Sequence, residues 1–600
     1  MARILKETGA VKDYWLEPDS RRLEPRTLAL TDSRGRPLEE IPYSPGAPPE
    51  ISTVAGTPKG LLIDFGKEVG GYTHLKFASS RCRRIGAQAV ESIRHIINPL
   101  FAGRLSKVDF GTKHAGFDPG FKEVVDLPHF GGFRYLWLYP ERPGSLELGE
   151  VWLDYTPHLP ADPAECGYFL SSDDLLNRAW FAGLHTIEMC TVDPTLGADG
   201  KTRIGEGSWV LIDGAKRDRL IWTGDLGPMA EAVYVSDFNT DAVRDSLTSL
   251  ARRQRRDGYI PGCSPAPGIG RLVSGLFGEY VAWWVVVLYQ YYLHTGDLET
   301  LRELFPAAVR ALAYLESQCK EGLYKQSPLN MEEWCFTVIR LGKPTHTNAM
   351  YYWALRGASF LAGELGEDGL SVEYEARASD LRKAIEHELW DEVRGAFVDT
   401  TVNRRRVPQD GNSIAIVSGL VKEPERRERI LAYLRKNFWE SWGSNNVDVP
   451  YYPLTPGFPW HNRRVMPFMN YYEALGRFMC GDDDGAMELI RRCWGNMVDT
   501  EPGTTFWEWA GRRGQVDGHF CSLCHGWSAG VVPLLSKYVL GVRTEGVAYK
   551  TFRFDPHPAG LEWVEGRVPV KGGFIEARVE RKKDGYDMKI NAPKGMEPVS

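Results

Sequence analysis

The residues best suited to chemistry lie in the acidic loop, residues 213–225. It holds three carboxylates, Asp213, Asp218 and Asp225, together with three cations, two glycines and Trp222. Charge and glycine disfavour a helix, so the sequence predicts an ordered loop that brings acids beside an indole. Carboxyl groups can donate or accept a proton at a glycosidic bond, and an indole face can stack on a sugar ring. A surface loop whose acids pair with its own lysine and arginines would have the same composition.

A second acidic group stands in the glutamate segment, residues 506–509, where Trp507 and Trp509 flank Glu508. A carboxyl group among indoles lies in a low dielectric, which raises its pKa and suits proton transfer. A glutamate exposed at a helix end would give the same pattern. We favour the first interpretation because a complementary acidic loop lies far upstream.

Further residues could line the same cleft. Glu333 and Trp334 again pair an acid with an indole, although acids before a helix also complement its dipole. Trp460 lies in an aromatic and polar loop. His525, in the histidine segment (residues 521–527), could bond a sugar hydroxyl or pack as a structural histidine.

Length and composition restrict the class of protein. A chain of 600 residues predicts two to four domains. The formal net charge of −7 argues against nucleic acid as a partner. The longest apolar run, residues 281–293, is too short to span a bilayer, and the N-terminus has no apolar signal region. We therefore expect a cytoplasmic protein without a membrane partner; a homodimer is left open.

No cofactor is expected. Cys521-x-x-Cys524-His525 matches a c-type haem attachment motif, but that attachment needs an exported apoprotein. Without a second paired cysteine motif a zinc site is not predicted, and no phosphate loop or dinucleotide fingerprint is present. The metal prediction is likewise none, with calcium on carboxylate oxygens as the alternative.

The patterning predicts a multidomain fold of helices and strands. Residues 1–160 alternate in short β-patterned runs between Gly and Pro clusters, which favours an antiparallel β-sandwich. Residues 165–540 contain about a dozen segments with helical periodicity, which favours an (α/α)6 toroid, or barrel, as the catalytic domain. Residues 545–600 alternate again and predict a small C-terminal β domain of the same antiparallel sandwich type.

These residues resemble a known family. The acidic loop is similar to the signature loop of the α-L-rhamnosidases of glycoside hydrolase family 78. Glu333–Trp334 resembles that family's carboxylate–tryptophan pair, and the glutamate segment resembles the loop with its second catalytic carboxylate. The histidine segment resembles the family's Ser-Leu-x-His stretch. The resemblance extends from about residue 60 to the C-terminal module.

The resemblance implies a hydrolase that removes terminal α-L-rhamnose from glycosides or oligosaccharides with inversion. Asp218 falls on the general acid, which the family usually supplies as Glu, and Glu508 falls on the general base. The predicted substrate-binding residues are Asp213, Arg217, Trp222, Asp225, Glu333, Trp334, Trp460, Trp507, Trp509 and His525.

Two alternatives use the same cleft. A polysaccharide lyase acting next to rhamnose would use a Tyr, His or Lys base and need a uronic acid. Another (α/α)6 carbohydrate-active enzyme acting on rhamnose-containing glycans is the related alternative. A non-catalytic sugar-binding protein would keep the aromatic side chains without turnover. Fold alone does not separate these functions, although all of them take a carbohydrate or glycoside.

Overall fold

A computed structural model gives the fold. It describes residues 9–32, 34–43, 50–52, 60–80, 84–96, 113–117, 124–141, 145–160, 162–197, 200–264, 277–326, 333–334, 340–449, 463–516 and 520–599. The predicted site residue Trp460 lies outside these ranges. No helix within them is long and apolar enough to cross a membrane.

Ten antiparallel strands form the first sheet, in the order β1-β10-β5-β9-β6-β7 with β2, β3, β4 and β8 attached at its sides. The strands are β1 Arg22–Leu23, β2 Thr27–Thr31, β3 Pro37–Pro42, β4 Glu50–Ser52, β5 Gly60–Ser80, β6 Ile85–Val90, β7 Lys113–Phe117, β8 Val124–Asp126, β9 Phe130–Pro140 and β10 Ser145–Tyr155. The sequence predicts β2 with these bounds. It predicts two strands where β5 is one, because register shifts between Asp64 and Gly71 bend β5 without breaking it.

Strand β9 shows why this sheet is buried on both faces. Successive side chains point to opposite sides of a strand. Leu136 and Leu138 belong to the main apolar core, whereas Trp137 and Tyr139, on the opposite face, belong to a second, smaller cluster. The run is therefore almost continuously apolar instead of alternating.

The sequence predicts helices over residues 175–190 and 370–389, and the structure has helices within two residues of those bounds. The helix predicted over 242–256 instead ends at Ala251. The helices are α1 Gly9–Tyr14, α2 Asp174–Met189, α3 Leu226–Val233, α4 Thr240–Ala251, α5 Gly278–Thr295, α6 Leu298–Ser317, α7 Thr345–Glu364, α8 Asp368–Leu389, α9 Gln409–Val417, α10 Pro424–Phe438, α11 Pro467–Met479, α12 Asp483–Ile490, α13 Asn496–Val498 and α14 Val531–Leu534. Asp173 caps α2 by accepting a hydrogen bond from the Leu175 N–H, and Gly296 ends α5 at φ +64°.

The helices pack in a regular succession. Helix α3 packs on α5, α5 on α7, α7 on α9, and α9 on α11; α11 packs on the turn Gly526–Gly530, which packs back on α3. The first turns of several of these helices meet at one end. Tyr280 of α5 contacts Trp222, while Asp410 of α9 and Phe468 of α11 contact Trp334. Side chains for a site therefore gather at this end.

The remaining strands are short ladders between helices and two C-terminal sheets. They are β11 Tyr168–Ser171, β12 Thr191–Val192, β13 Val210–Leu211, β14 Ile221–Trp222, β15 Cys263–Ser264, β16 Cys319–Lys320, β17 Leu323–Tyr324, β18 Trp390–Asp391, β19 Ala396–Phe397, β20 Trp439–Glu440, β21 Gly443–Ser444, β22 Arg464–Val465, β23 Ala510–Gly511, β24 Val542–Thr544, β25 Thr551–Phe554, β26 Trp563–Val570, β27 Gly573–Lys582, β28 Gly585–Asn591 and β29 Glu597–Val599. Strand β11 forms the edge of the sheet β11-β26-β27-β28, so the chain enters and leaves the helical region through one sheet.

One side chain joins the first sheet to the segments that carry the predicted site. Glu91, just after β6, accepts hydrogen bonds from the backbone N–H groups of Leu523 (2.8 Å) and Cys524 (3.2 Å). Its other oxygen lies 2.8 Å from Lys216 Nζ, and both side chains are buried. Either charge alone would be unfavourable in this buried position, so the ion pair holds the segments that carry Glu91 and Lys216 together.

We expect Glu91→Gln to lower the free energy of unfolding by about 3–5 kcal/mol, because it leaves the Lys216 ammonium buried without a counter-charge. Urea denaturation followed by tryptophan fluorescence measures this loss. Glu150→Gln is the control, since Glu150 pairs with Lys76 at the surface, both side chains being 39% exposed. A surface pair contributes about 1 kcal/mol or less. Equal losses in the two variants would contradict a structural role for Glu91.

Candidate active site

The acidic loop and the histidine segment lie side by side. The Ala215 N–H donates to the Cys524 carbonyl (3.0 Å), and the Gly526 N–H donates to the Asp213 carbonyl (2.6 Å). These bonds join residues more than three hundred positions apart. They place the loop's carboxylates beside His525.

The glutamate segment continues the same arrangement on the other side of the histidine segment. The Glu508 N–H donates to the Ser522 carbonyl (2.8 Å), and the His525 N–H donates to the Phe506 carbonyl (2.9 Å). The structure thus brings together the three segments that the sequence singles out separately. Backbone hydrogen bonds fix their relative positions, so the side chains do not depend on a mobile surface loop.

Hydrogen bonds within the acidic loop fix its conformation. The Leu220 N–H donates to Asp213 Oδ1 (3.0 Å), and Arg219 Nη1 donates to the Ala215 carbonyl (2.6 Å). Asp218 and Arg219 both have left-handed backbone angles, at φ +53° and +54°. Non-glycine residues rarely adopt this region, and such strain concentrates at functional sites.

Arg217 is the central cation of the site. Its guanidinium pairs with the Glu508 carboxylate, and Nη1 lies 3.4 Å from Asp218 Oδ2. Nε donates to the Phe520 carbonyl at 2.7 Å. The two predicted catalytic carboxylates therefore share one buried guanidinium group, and neighbouring carboxylates raise the pKa of Arg217 although burial alone would lower it.

The two carboxylates on Arg217 have different environments. The Asp218 side chain is 30% exposed, whereas that of Glu508 is 8% exposed. Burial raises the pKa of Glu508 above its ordinary value, and Arg217 offsets part of that increase. One group faces solvent while the other is enclosed, so the two carboxyl groups on Arg217 lie in different environments.

Asp213, Asp225 and His525 complete the polar part of the site. Burial raises the pKa of both aspartates well above the ordinary range, and neighbouring carboxylates add to the effect. His525 Nε2 lies 3.2 Å from Asp225 Oδ1. Burial and then the charge of Arg217 lower the pKa of His525, so its imidazole is neutral and can donate or accept a hydrogen bond.

Aromatic side chains form the walls. The Trp222 ring packs edge-on against Tyr280 (6.2 Å), and the Trp334 ring packs edge-on against Trp527 (6.0 Å). Trp527 Nε1 donates to the Glu508 carbonyl at 3.1 Å, which connects this wall to the carboxylate. The Arg217 guanidinium lies over the Trp509 ring, with Arg217 Cζ 5.8 Å from the centroid of the indole.

Three predicted binding residues are more deeply placed than the sequence suggests, and Trp334 is one of them, with a fully buried side chain. Trp507 is fully buried and stacks on Trp442 at 5.4 Å. Glu333 is also fully buried, where it pairs with Arg340 and accepts a hydrogen bond from Thr347 Oγ1 at 2.6 Å. Burial would raise the pKa of Glu333, but Arg340 and His346 lower it to about 2. Glu333 is therefore a fixed anion behind the wall, with neither oxygen at the surface.

Arg340 organises this second layer. Its guanidinium also lies 2.7 Å from Asp399 and 2.9 Å from Asp410, and Asp410 accepts a 2.8 Å hydrogen bond from Trp334 Nε1. The network fixes the Trp334 indole. Glu333, His346 and Asp410 are donor types that could hold a metal, but the guanidinium already supplies their positive charge.

Sequence reasoning misses residues whose roles depend on distant contacts. Arg340 gives no motif signal. Arg464 lies over the Trp509 ring at 4.5 Å, and Glu91 arrives from the first sheet. Phe520, 43% exposed beside Arg217, could have been noticed as an aromatic residue next to the histidine segment. Trp460 remains a prediction because it lies outside the described residues.

Comparison with known proteins gives a family match and a curated relative. Residues 164–445 match the family model described as the bacterial alpha-L-rhamnosidase 6 hairpin glycosidase domain. An alpha-L-rhamnosidase of Alteromonas sp. (strain LOR) is 22% identical over 408 residues, which cover 64% of this chain and 40% of that protein. The chain thus spans well under half of that relative's length.

Solved structures share the fold. A GH78 family rhamnosidase of Bacillus sp. GL1 superposes with a TM-score of 0.73 at 22% identity, over 93% of this chain and 55% of that chain. A rhamnosidase from Klebsiella oxytoca with rhamnose bound gives a TM-score of 0.66 at 22% identity, over 86% and 94%. Together with the family match, they confirm that this chain resembles the α-L-rhamnosidases of glycoside hydrolase family 78.

Proposed function

We propose that the chain hydrolyses terminal α-L-rhamnose from glycosides or oligosaccharides, with inversion at the anomeric carbon. The observation that carries the proposal is the contact of Asp218 and Glu508 with the single Arg217 guanidinium. It supports a short separation between the two carboxyl groups, and inverting glycosidases hold theirs roughly 6.5–9.5 Å apart to admit a water. The choice of rhamnose as the sugar rests on the relatives that are named as rhamnosidases.

The proposed catalytic domain is an (α/α)6 toroid over residues 165–540, flanked by β-sandwich domains over 1–160 and 545–600. The successive packing of α3, α5, α7, α9, α11 and the turn Gly526–Gly530 supports an inner ring. The first turns of α5, α9 and α11 contact Trp222 and Trp334, so the ring would open where the carboxylates lie.

Glu508 is the proposed general base. An ionised carboxylate takes a proton from the attacking water, and the enclosed position of Glu508 keeps bulk water from competing. Arg217 stabilises the ionised form, although burial raises the pKa. A base with a raised pKa accepts the proton more readily than an ordinary surface carboxylate.

Asp218 is the proposed general acid. It must give a proton to the leaving oxygen, and its side chain is 30% exposed, which leaves the carboxyl group accessible. Asp218 has one methylene fewer than the usual Glu, and it lies at a left-handed backbone position, φ +53°. Asp213 and Asp225 are the alternative acids, since burial raises the pKa of both.

The remaining residues are proposed to hold the sugar. Asp213, Asp225 and His525 supply hydrogen bonds to hydroxyl groups, and Arg217 adds charge-assisted ones. Trp222, Trp334 and Trp509 supply apolar faces. Glu333 and Trp507 act from behind by fixing these walls; Trp460 stays a proposed contact.

We expect nitrophenol release from p-nitrophenyl α-L-rhamnoside and not from other nitrophenyl glycosides.

Glu508→Gln should lower kcat by about 10²–10⁴-fold, the usual contribution of a general base. Glu565→Gln is the matched control: Glu565 is equally buried, at 8% side-chain exposure, and pairs with Arg578 in the C-terminal sheet. Proton NMR of the first product should show β-L-rhamnose. Turnover in Glu508→Gln equal to the control, or release of α-rhamnose, would refute the base role.

The acid role of Asp218 predicts a dependence on the leaving group. Asp218→Asn should lose far more activity on methyl α-L-rhamnoside than on 2,4-dinitrophenyl α-L-rhamnoside, because dinitrophenolate leaves without protonation. Glu508→Gln should lose activity on both substrates alike, since water must still attack. If Asp213→Asn or Asp225→Asn shows the selective loss and Asp218→Asn does not, the acid is reassigned.

The raised pKa of Glu508 predicts the acidic limb of the pH profile. The base works only when ionised, so kcat/KM should fall as the pH decreases through a pKa above 4.5, the ordinary value. Arg217→Gln removes the cation that lowers this pKa and should move the limb to higher pH. Arg578→Gln, at the control pair, should leave the limb unchanged. A limb that moves to lower pH in Arg217→Gln would contradict this electrostatic account.

A further inference from the structure

A second group of acids and one histidine lies away from the proposed catalytic site. His158 follows β10, Glu188 lies in the last turn of α2, and Asp237 lies between α3 and α4. His158 Nδ1 is 2.5 Å from Glu188 Oε2 and 3.6 Å from Asp237 Oδ2. One donor atom from each residue falls within 4.8 Å of the other two.

The carboxylates of this group lack a matching cation. The Glu188 and Asp237 side chains are 0% and 2% exposed. Among the described residues, neither forms an ion pair with a lysine or arginine. Glu188 Oε1 and both Asp237 oxygens are buried without a hydrogen bond of ordinary length and angle. The two carboxyl groups contact each other, and the Asn239 backbone N–H lies near Asp237. Glu17, which pairs with His185, adds a further carboxylate nearby. Buried carboxylates are normally paired or bound to a metal.

Backbone hydrogen bonds hold the three segments in place without a ligand. The His158 N–H donates to the Thr191 carbonyl at 2.7 Å, just after α2. The Gly167 N–H donates to the Ser236 carbonyl at 2.6 Å, next to Asp237. The donor atoms are therefore arranged before anything binds, which lowers the cost of binding.

We propose that His158, Glu188 and Asp237 bind a divalent first-row transition metal, such as Zn²⁺ or Mn²⁺. One imidazole and two carboxylates are donors that these ions accept, and the ion would neutralise the buried negative charge. Ligand atoms bound at about 2.0–2.2 Å stand roughly 3–4 Å apart. The His158–Asp237 distance of 3.6 Å already fits, whereas the His158–Glu188 distance of 2.5 Å must increase. The His158 side chain is 16% exposed, which leaves a side for the ion to enter and for water to complete its coordination.

The other candidate cluster shows what distinguishes this one. Glu333, His346 and Asp410 offer the same donor types at similar spacing. There the Arg340 guanidinium bonds both carboxylates. At His158 no guanidinium or ammonium from the described chain takes that place, so the positive charge is left to a ligand.

The test uses the full chain after EDTA treatment and buffer exchange. Titration with Co²⁺ should give visible d–d absorption that saturates at one equivalent. ZnCl₂ should raise the melting temperature by about 2 °C or more, whereas MgCl₂ should not. Asp237→Asn should abolish the Co²⁺ band at this stoichiometry and the Zn²⁺ shift.

His74→Gln is the matched control. His74 also meets two aspartates, but Asp126 binds Nδ1 (2.7 Å) and Asp154 binds Nε2 (3.0 Å), so the three cannot hold one ion. This variant should keep the full Co²⁺ and Zn²⁺ responses. Less than one equivalent bound by the wild-type chain would overturn the proposal even if Asp237→Asn fails to fold. The same response in Asp237→Asn as in wild type would also overturn it.

Discussion

The burial of Arg217 is the constraint on which the rest of the site depends. A guanidinium group away from water must be paired, and it is paired with Glu508 and Asp218. The pairing brings residues from two distant segments to one point. It also keeps Glu508 ionisable in an enclosed position where burial alone would favour the neutral acid. The same contact therefore positions the carboxylates and sets their protonation.

Both the first sheet and the helices contribute buried charged groups that hold the site residues in place. The first sheet supplies Glu91, which holds the backbone of Leu523 and neutralises Lys216 of the acidic loop. The helices supply Arg340, which gathers Glu333 and Asp410 behind Trp334. Each support is a buried charge that would be costly alone, so neither layer can shift without exposing an unpaired ion. Rigid outer layers are what a site needs when small displacements reduce catalysis.

Much of the fold could be predicted because its signals are local. Helices such as Asp174–Met189 and Asp368–Leu389 fall within two residues of their predicted bounds, since apolar periodicity and caps are written along the chain. The acidic loop and Glu508 were recognisable by residue type. The burial of Glu333 was not, because Arg340 looks like any other arginine until the fold places it among three carboxylates. Likewise the sequence of β5 suggests two strands, since a bulge and a turn have similar compositions.

Several carboxyl groups are buried in this fold, which is unfavourable, and they are stabilised in different ways. At Glu508 and Glu333 an arginine from another segment provides the positive charge. At Asp225 burial and the neighbouring Glu508 carboxylate raise the pKa and favour the protonated acid, which lies 3.2 Å from His525 Nε2. At Glu188 and Asp237 burial raises the pKa of both groups, neighbouring carboxylates add to the effect, and His158 is the described side chain that pairs with them. Where the chain supplies a full counter-charge, the arrangement is complete by itself; where it supplies only an imidazole, the electrostatics favour an added cation.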